Sequence, residues 1–260
     1  MKIFYSENKV DYSSYTFSYA IYAGREGMED VSPIYDKGFL PYTGNITLEK
    51  EVFYLARSLR VDLGRFEDTS ENRRISRQME PLNVKITAIK KTDFDLNEPA
   101  FKNFCEAYIS ERIGDENMNI ERWNYILESS IGTHILKFHN ADQTFGYILG
   151  SLTDSMFHYW FAFFDTEYMK SHSLGKWMMW RTISWAKEIN LQYVYLGTAY
   201  KPAALYKIRD HKGLEFWDGR QWNEDVKLLK TLCQTDLDPK TADRFKTDDA
   251  PNELLNDLIE

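Results

Sequence analysis

Cysteine is scarce in this 260-residue chain: Cys105 and Cys233 are its two thiols, too few for a disulfide framework or a four-thiolate zinc site. That scarcity fits a reducing cytoplasm. With 7 Pro and 13 Gly the chain is no collagen and no linker-rich array, and 43% hydrophobic with 15% aromatic residues excludes disorder. Long hydrophobic runs are missing too. The opening MKIFYSENKVDY has no apolar signal core, and the longest apolar-aromatic run, near Met156 to Phe164, falls far short of the roughly 20 residues that span a bilayer. The expectation is a soluble cytoplasmic protein, neither secreted nor membrane-anchored. A net charge of -8 argues against coating DNA, because such binding depends on neutralising phosphates.

What is present is a long enough chain for one large domain or two small ones, with its charge unevenly spread. Residues 57–91 hold nine basic and five acidic side chains, whereas residues 234–260 hold eight acidic and three basic ones. A polyanion that the tail repels would be attracted by the basic segment, although a solvated helix face explains the same pattern. The boundaries read as an N-terminal lobe over 1–80, a second domain over 81–233 and an acidic tail over 234–260, which includes a possible helix from Asn252 to Ile259.

In the first lobe, Tyr15 to Gly24 and Phe53 to Leu63 read as strands, with a short helix near Val31 to Lys37 and a turn at Gly44-Asn45. Ser70 is placed to cap a helix carrying Arg73, Arg74 and Arg77. After Pro81 the reading is a strand (Leu82 to Lys90), two helices (Asn97 to Ile113, Ile120 to Ser129) and three strands (His134 to His139, Phe145 to Leu152, Met156 to Phe164). A helix from Ser173 to Asn190 follows, with Leu174, Trp177, Met178, Trp185 and Ile189 broadly on one face. A buried-type strand at Tyr193 to Gly197, a short helix at Pro202 to Ile208 and a strand at Leu214 to Trp217 complete the pattern.

The order β-α-α-β-β-β-α-β-α-β resembles the Gcn5-related N-acetyltransferase (GNAT) fold. The fold class expected is therefore α/β (α+β): a GNAT-like mixed sheet with flanking helices, plus a small mixed N-terminal lobe. In that fold a ligand phosphate sits at the N-terminus of the helix between the splayed strands, where unpaired N–H groups and the helix dipole favour an anion. Members using acetyl-CoA carry Gln/Arg-x-x-Gly-x-Gly/Ala there. This chain has Lys170-Ser171-His172-Ser173-Leu174-Gly175, with a single glycine and no Gln or Arg. Ser173 as a plain helix cap, or another phosphate ligand, suits it better than CoA.

A more specific resemblance runs from about Tyr19 to Trp222. Asp154 after a strand, an aromatic strand ending in Asp165, Ser173-Leu174-Gly175, Tyr195-Leu196-Gly197, Tyr206-Lys207 and Asp218-Gly219 before Trp222 are similar, in order and spacing, to the aminoacyl-tRNA–protein transferases. That family comprises the arginyl-transferases and the bacterial aspartate/glutamate leucyltransferases. Gly38-Phe39, Arg60-Val61 and Ser70-Glu71-Asn72-Arg73-Arg74 match its N-terminal pattern. The family's frequent N-terminal cysteines are absent, so no metal or cluster is expected, and Thr198-Ala199 replaces its usual aromatic pair.

The resemblance implies transfer of Arg or Leu from charged tRNA to the α-amine of proteins beginning with Asp or Glu, marking them for degradation, with no cofactor besides the aminoacyl-tRNA. The ester is already activated, so alignment and oxyanion stabilisation suffice and no covalent nucleophile is needed. Cys105 and Cys233 are then core thiols. Ser173, Leu174, Gly175, Lys176, Arg73, Arg74 and Arg77 would hold tRNA phosphates. Tyr195, Tyr206, Lys207 and Asp154 would be catalytic, and Arg60, Tyr159, Phe161 and Gly197 would line the acceptor or aminoacyl pocket. Each has a structural alternative: a satisfied buried Tyr, a solvated Lys, a turn-capping Asp, aromatic core packing. A CoA-dependent N-acetyltransferase and a non-catalytic protein that binds tRNA or N-termini are the competing readings.

Overall fold

The computed structural model describes residues 1–11, 16–46, 48 and 50–237. Tyr15, nearly all of the acidic tail and its proposed helix lie outside them. The chain forms two compact units: one comprises Met1–Arg60, Gly197–Ile208 and the chain from Leu214, the other Val61–Leu196 and Arg209–Gly213. The sequence boundary near residue 80 falls within the second unit.

In the first unit, β1 (Lys2–Asp11), β2 (Thr16–Gly24), β3 (Phe39–Pro41) and β4 (Val52–Leu55) make an antiparallel sheet in the order β1-β2-β4-β3, with α1 (Val31–Asp36) before β3. β1, with Lys2, Glu7, Lys9 and Asp11 along it, has no apolar run that would mark it as a strand. The single strand expected over Phe53 to Leu63 is two strands, β4 and β5 (Ser58–Asp62), because the chain turns at Ala56, where Ser58 N donates to the Ala56 carbonyl. Gly38, with φ of +81°, faces the Trp217 ring so closely that a Cβ would lie 2.3 Å from it. The conformation and the contact both demand glycine there.

The second unit begins with α2 (Ser70–Met79), followed by β6 (Lys85–Lys90), α3 (Pro99–Tyr108) and α4 (Ile120–Glu128). The cap of α2 is Thr69, one residue earlier than expected: its hydroxyl accepts from Asn72 N, which leaves Ser70 in the first turn. Pro99 opens α3, where its missing N–H costs nothing, and the helix widens into a π-turn, Ile109–Ile113, that ends at Gly114 with φ of +84°. Next come β7 (His134–His139), β8 (Thr144–Leu152) and β9 (Met156–Phe164), then α5 (Glu167–His172), a helix the sequence did not announce, α6 (Leu174–Glu188) and β10 (Tyr193–Thr198). A short β11 (Leu214–Trp217) pairs with β12 (Trp222–Asn223) in the first unit, and α7 (Val226–Thr235) follows.

The strand order β10-β9-β8-β7-β6 is antiparallel except at β9/β10, which run parallel and pair at three positions, Tyr193↔Met156 to Tyr195↔His158. A mixed sheet with helices inserted in this order is the GNAT-like arrangement. The register of β8 and β9 slips by one residue at Gly150, so that Leu149 faces Phe161 and Gly150 faces Tyr159 with Trp160 unopposed.

Side-chain alternation decides which helix each strand meets. Tyr147, Leu149 and Phe163 join Phe101, Cys105, Trp123 and Ile126 of α3 and α4 in one core cluster. Phe138 and Phe157 instead pack on Trp177 and Trp185 of α6, at 5.9 and 5.4 Å between ring centres. At Gly146 a Cβ would come within 2.6 Å of the Phe163 carbonyl of β9 and 2.7 Å of the Met178 methyl carbon of α6, so the close approach of β9 requires glycine there. α6 buries Met179, Trp180 and Thr182 as well as the residues of its expected apolar face. Ile189, assigned to that face, is exposed and lies beyond the helix end, because the turn at Glu188 carries it out of the helical period.

Candidate functional site

The expected phosphate-binding residues all fall in the second unit. Ser173 does not cap α6 with its side chain: it holds a left-handed conformation (φ +53°, ψ +40°) that links α5 to α6, and its hydroxyl makes no capping bond. A β-region backbone is what lets a Ser hydroxyl reach back to the first helical N–H groups, so this geometry forbids the cap. Leu174 is buried. Gly175 packs on Phe164, whose ring would lie 2.6 Å from a Cβ at that position. Lys176 is enclosed by carboxylates, with Nζ 3.1 Å from Glu71 Oε1 and 2.5 Å from Asp210 Oδ2. Beside Asp210, burial pushes the His211 imidazole down to about 4, so it is neutral at physiological pH.

The three arginines of α2 differ sharply. Arg74 makes a two-pronged pair with Glu71, at 2.7 and 2.8 Å, and also donates to Gln78. Hydrogen bonds from Arg74 and then Lys176 hold the Glu71 carboxyl down to about 2. Arg73 donates to the Asp68 carbonyl at 2.9 Å and has no carboxylate partner among the described residues; Arg77, one turn on, is exposed and has none either. Glu71 and Asp210 together therefore balance two of the predicted phosphate ligands, Arg74 and Lys176, and leave Arg73 and Arg77. The pairing of Glu71 with Arg74 was readable as an i,i+3 spacing; its pairing with Lys176, 105 residues away, was not.

Asp154 is exposed on the turn between β8 and β9. Tyr195 is buried, 1% exposed, beside Tyr193. Tyr159 and Phe161 flank the β8/β9 bulge, half-buried, and Phe161 packs against the α3/α4 core cluster. Both thiols are buried; burial pushes Cys105 well above the ordinary thiol range and Cys233 up as well, so neither is a ready nucleophile.

Gly197, Tyr206 and Lys207 belong to the first unit. Tyr206 and Lys207 end a 3-10 helix, Pro202–Lys207, and Tyr206 is 59% exposed. Lys207 folds back on the segment after Gly197: its Nζ lies 3.3 Å from the Thr198 carbonyl and would be 3.4 Å from a Cβ at Gly197, whose φ is +80°. Desolvation pulls the half-buried ammonium down to about 8, so Lys207 exchanges its proton near neutral pH. Arg60, expected in the pocket, is 6% exposed: Nε binds Glu215 at 2.6 Å, Nη1 binds Asp36 at 2.8 Å, and the guanidinium lies 4.0 Å over Trp222.

Sequence reading also missed Arg57 and Asp236. They form a buried pair that anchors α7 beneath the segment following β10, with Arg57 Nη1 also donating to the Ala199 carbonyl and Lys201 N donating to Asp236. Among the described residues no helix is long and apolar enough to cross a membrane.

Residues 101–209 match the model of the family described as arginine-tRNA-protein transferase, C terminus. An aspartate/glutamate leucyltransferase of Stenotrophomonas maltophilia (strain R551-3) is 25% identical over 175 residues, covering 64% of this chain and 68% of that protein. Among solved structures, the C-terminal domain of a putative lysylphosphatidylglycerol synthetase from Agrobacterium fabrum aligns with 68% of this chain at 10% identity and a TM-score of 0.39, and this chain spans about half (54%) of its length. A GCN5-related glucosamine N-acetyltransferase region of a fungal multi-domain β-N-acetylglucosaminidase aligns with 75% of this chain and 22% of its own at 10% identity, with a TM-score of 0.41. The segment 101–209 is thus similar to the C-terminal part of the arginine-tRNA-protein transferases, and the wider chain is similar to an aspartate/glutamate leucyltransferase.

Proposed function

We propose that this protein transfers an amino acid from charged tRNA to the α-amine of proteins that begin with Asp or Glu, with no cofactor beyond the aminoacyl-tRNA. The observation that carries the acceptor half is Lys207, a half-buried ammonium held beside Gly197 with its pKa down at about 8. In its charged form it pairs with the acidic first side chain of the acceptor, and a low-dielectric setting strengthens that attraction.

The chemistry asks little more. The neutral α-amine attacks the ester carbonyl, an N–C bond forms, the ester C–O bond breaks, and the amine proton ends on the leaving ribose oxygen. The exposed Tyr206 phenol is suited to relay that proton. Arg73 and Arg77 hold the donor's phosphates. Degradation through the modified first residue is the proposed outcome.

The test is a transfer assay with radiolabelled Arg-tRNA and Leu-tRNA in separate reactions, peptides beginning with Asp, Glu or Ala, a ribonuclease control and a parallel acetyl-CoA reaction. Ribonuclease-sensitive label on Asp and Glu peptides is expected, with one of the two tRNAs preferred. Acetylation without aminoacyl transfer overturns the proposal.

A further inference from the structure

The second unit contains a cavity of about 280 Å³ between α2 and α6, lined by Asp68, Arg73, Ser76, Arg77, Glu80 and Trp180. That is just below the ~300 Å³ at which sites for drug-sized ligands begin, so it has room for one small aromatic ring with its substituents. Two of its walls are cationic. Arg73 and Arg77 lie four residues apart, hence on one face of α2, and they are the two α2 arginines without a carboxylate partner among the described residues. The third wall is aromatic. Trp180 is 8% exposed, and its Nε1 donates to Asp68 Oδ1 at 2.7 Å, so the indole is fixed and Asp68 is already occupied. Glu80 remains as an exposed acceptor at the rim.

We infer that this cavity binds one unpaired nucleotide of the donor tRNA, its phosphate on Arg73 and Arg77 and its base against Trp180. Paired guanidinium groups suit phosphate oxygens, an aromatic wall suits any base, and Glu80 can accept a hydrogen bond from an exocyclic amine. The inference takes the identity of the polynucleotide from the proposed function; the nucleotide chemistry of the cavity stands without it. A free nucleoside monophosphate has the same chemistry, and so AMP is the small probe.

The experiment uses the full chain. Binding of fluorescently labelled tRNA is titrated at several salt concentrations, with AMP, inorganic phosphate and an Asp-initiated peptide as competitors. The variants are Arg73→Ala, Arg77→Ala, Arg74→Ala as the control, and Ser76→Trp, which fills the cavity from a partly exposed helix position and covers its Trp180 wall. Circular dichroism verifies each fold. Arg73→Ala and Arg77→Ala should each weaken tRNA binding, and together flatten the log–log salt slope by about 0.7, the single-strand value for the one phosphate they share. Ser76→Trp should abolish AMP binding and weaken intact tRNA roughly 5- to 150-fold, the range for losing one base stack. It should leave unchanged the affinity for a tRNA trimmed of its unpaired 3′ nucleotides. Arg74→Ala should change little.

The inference falls if Arg74→Ala costs as much as the other two, if trimmed and intact tRNA bind the native protein equally well, or if the peptide rather than AMP is displaced by Ser76→Trp. If AMP binding depends on Arg73 and Arg77 but no amino acid is transferred from tRNA, the cavity is a nucleotide site and the proposed function is what fails. Transfer that proceeds with none of the variants affecting tRNA or AMP binding overturns the cavity and leaves the function standing.

Discussion

Arg57 and Asp236 are 179 residues apart in sequence and meet in a buried ion pair, 3.1 Å from Nη1 to Oδ2. The guanidinium also lies 4.9 Å from the centre of the Tyr200 ring, and the carboxylate accepts from Lys201 N at 2.6 Å. The pair therefore ties the end of α7 to the segment that carries Ala199 to Lys201. Asp236→Ala leaves a guanidinium buried without its counter-charge and is expected to cost about 3–5 kcal/mol. A double replacement, Arg57→Met with Asp236→Leu, should cost much less. Urea unfolding of the two variants checks this; equal losses would show that the contact with Tyr200 and Ala199, not the charge pairing, carries the stability.

Lys207 predicts a pH dependence in two observables. Its folded pKa, about 8, lies below the ordinary lysine value of 10.5, so between those values the unfolded chain binds more protons than the native one. Stability must then rise with pH across that window, and the cost of burying the ammonium is fully present below it. Lys207→Met should be more stable than the native protein at pH 7 and lose that advantage by about pH 10.5. In the transfer assay, kcat/KM for Asp- and Glu-initiated peptides should fall as pH rises through about 8, and that limb should vanish in Lys207→Met. A limb that survives the substitution belongs to another group.

Glu71 is expected to restrain tRNA binding. It pairs with both Arg74 and Lys176, and its carboxyl, held down at about 2, stays ionised at any physiological pH. Glu71→Gln removes one negative charge and frees Arg74, while Lys176 keeps Asp210, so tRNA affinity should increase and its salt dependence steepen. Because the folded pKa is depressed below 4.5, the stability contributed by these pairs is present above that pH and is lost as pH falls toward 2. An acid-unfolding limb unchanged in Glu71→Gln would assign that limb to other carboxylates.

Gly175→Ala sets two effects against each other. Alanine gains up to about 1 kcal/mol of helix propensity, but its Cβ would stand 2.6 Å from the Phe164 ring, and overpacking of this kind costs about 1–3 kcal/mol. A net loss is expected in the urea midpoint. A gain would mean that the ring moves aside freely, and that the glycine serves α6 by its openness rather than by its packing.

The sequence alone determined the order of the longer elements after Pro81, because each periodic run is local: β7, β8 and β9 follow from alternation and α3 and α4 from their apolar spacing, as the basic face of α2 follows from Arg73, Arg74 and Arg77. Its short motifs also carry a resemblance to the aminoacyl-tRNA–protein transferases, and residues 101–209 match the model of that family's C-terminal part. Only the tertiary structure decided which of those cations are free. The resemblance implies phosphate contacts for both Lys176 and Arg74, yet Glu71 and Asp210 together balance the two, and charge pairing over 34 or 105 residues leaves no periodic trace. Arg60 reads as a pocket residue and is instead fixed by Glu215 and Asp36. Ser173 reads as a cap and is instead a left-handed link. Local pattern reports what a residue prefers, whereas desolvation and distant partners report what it is able to bind, and those are fixed only when the chain has folded.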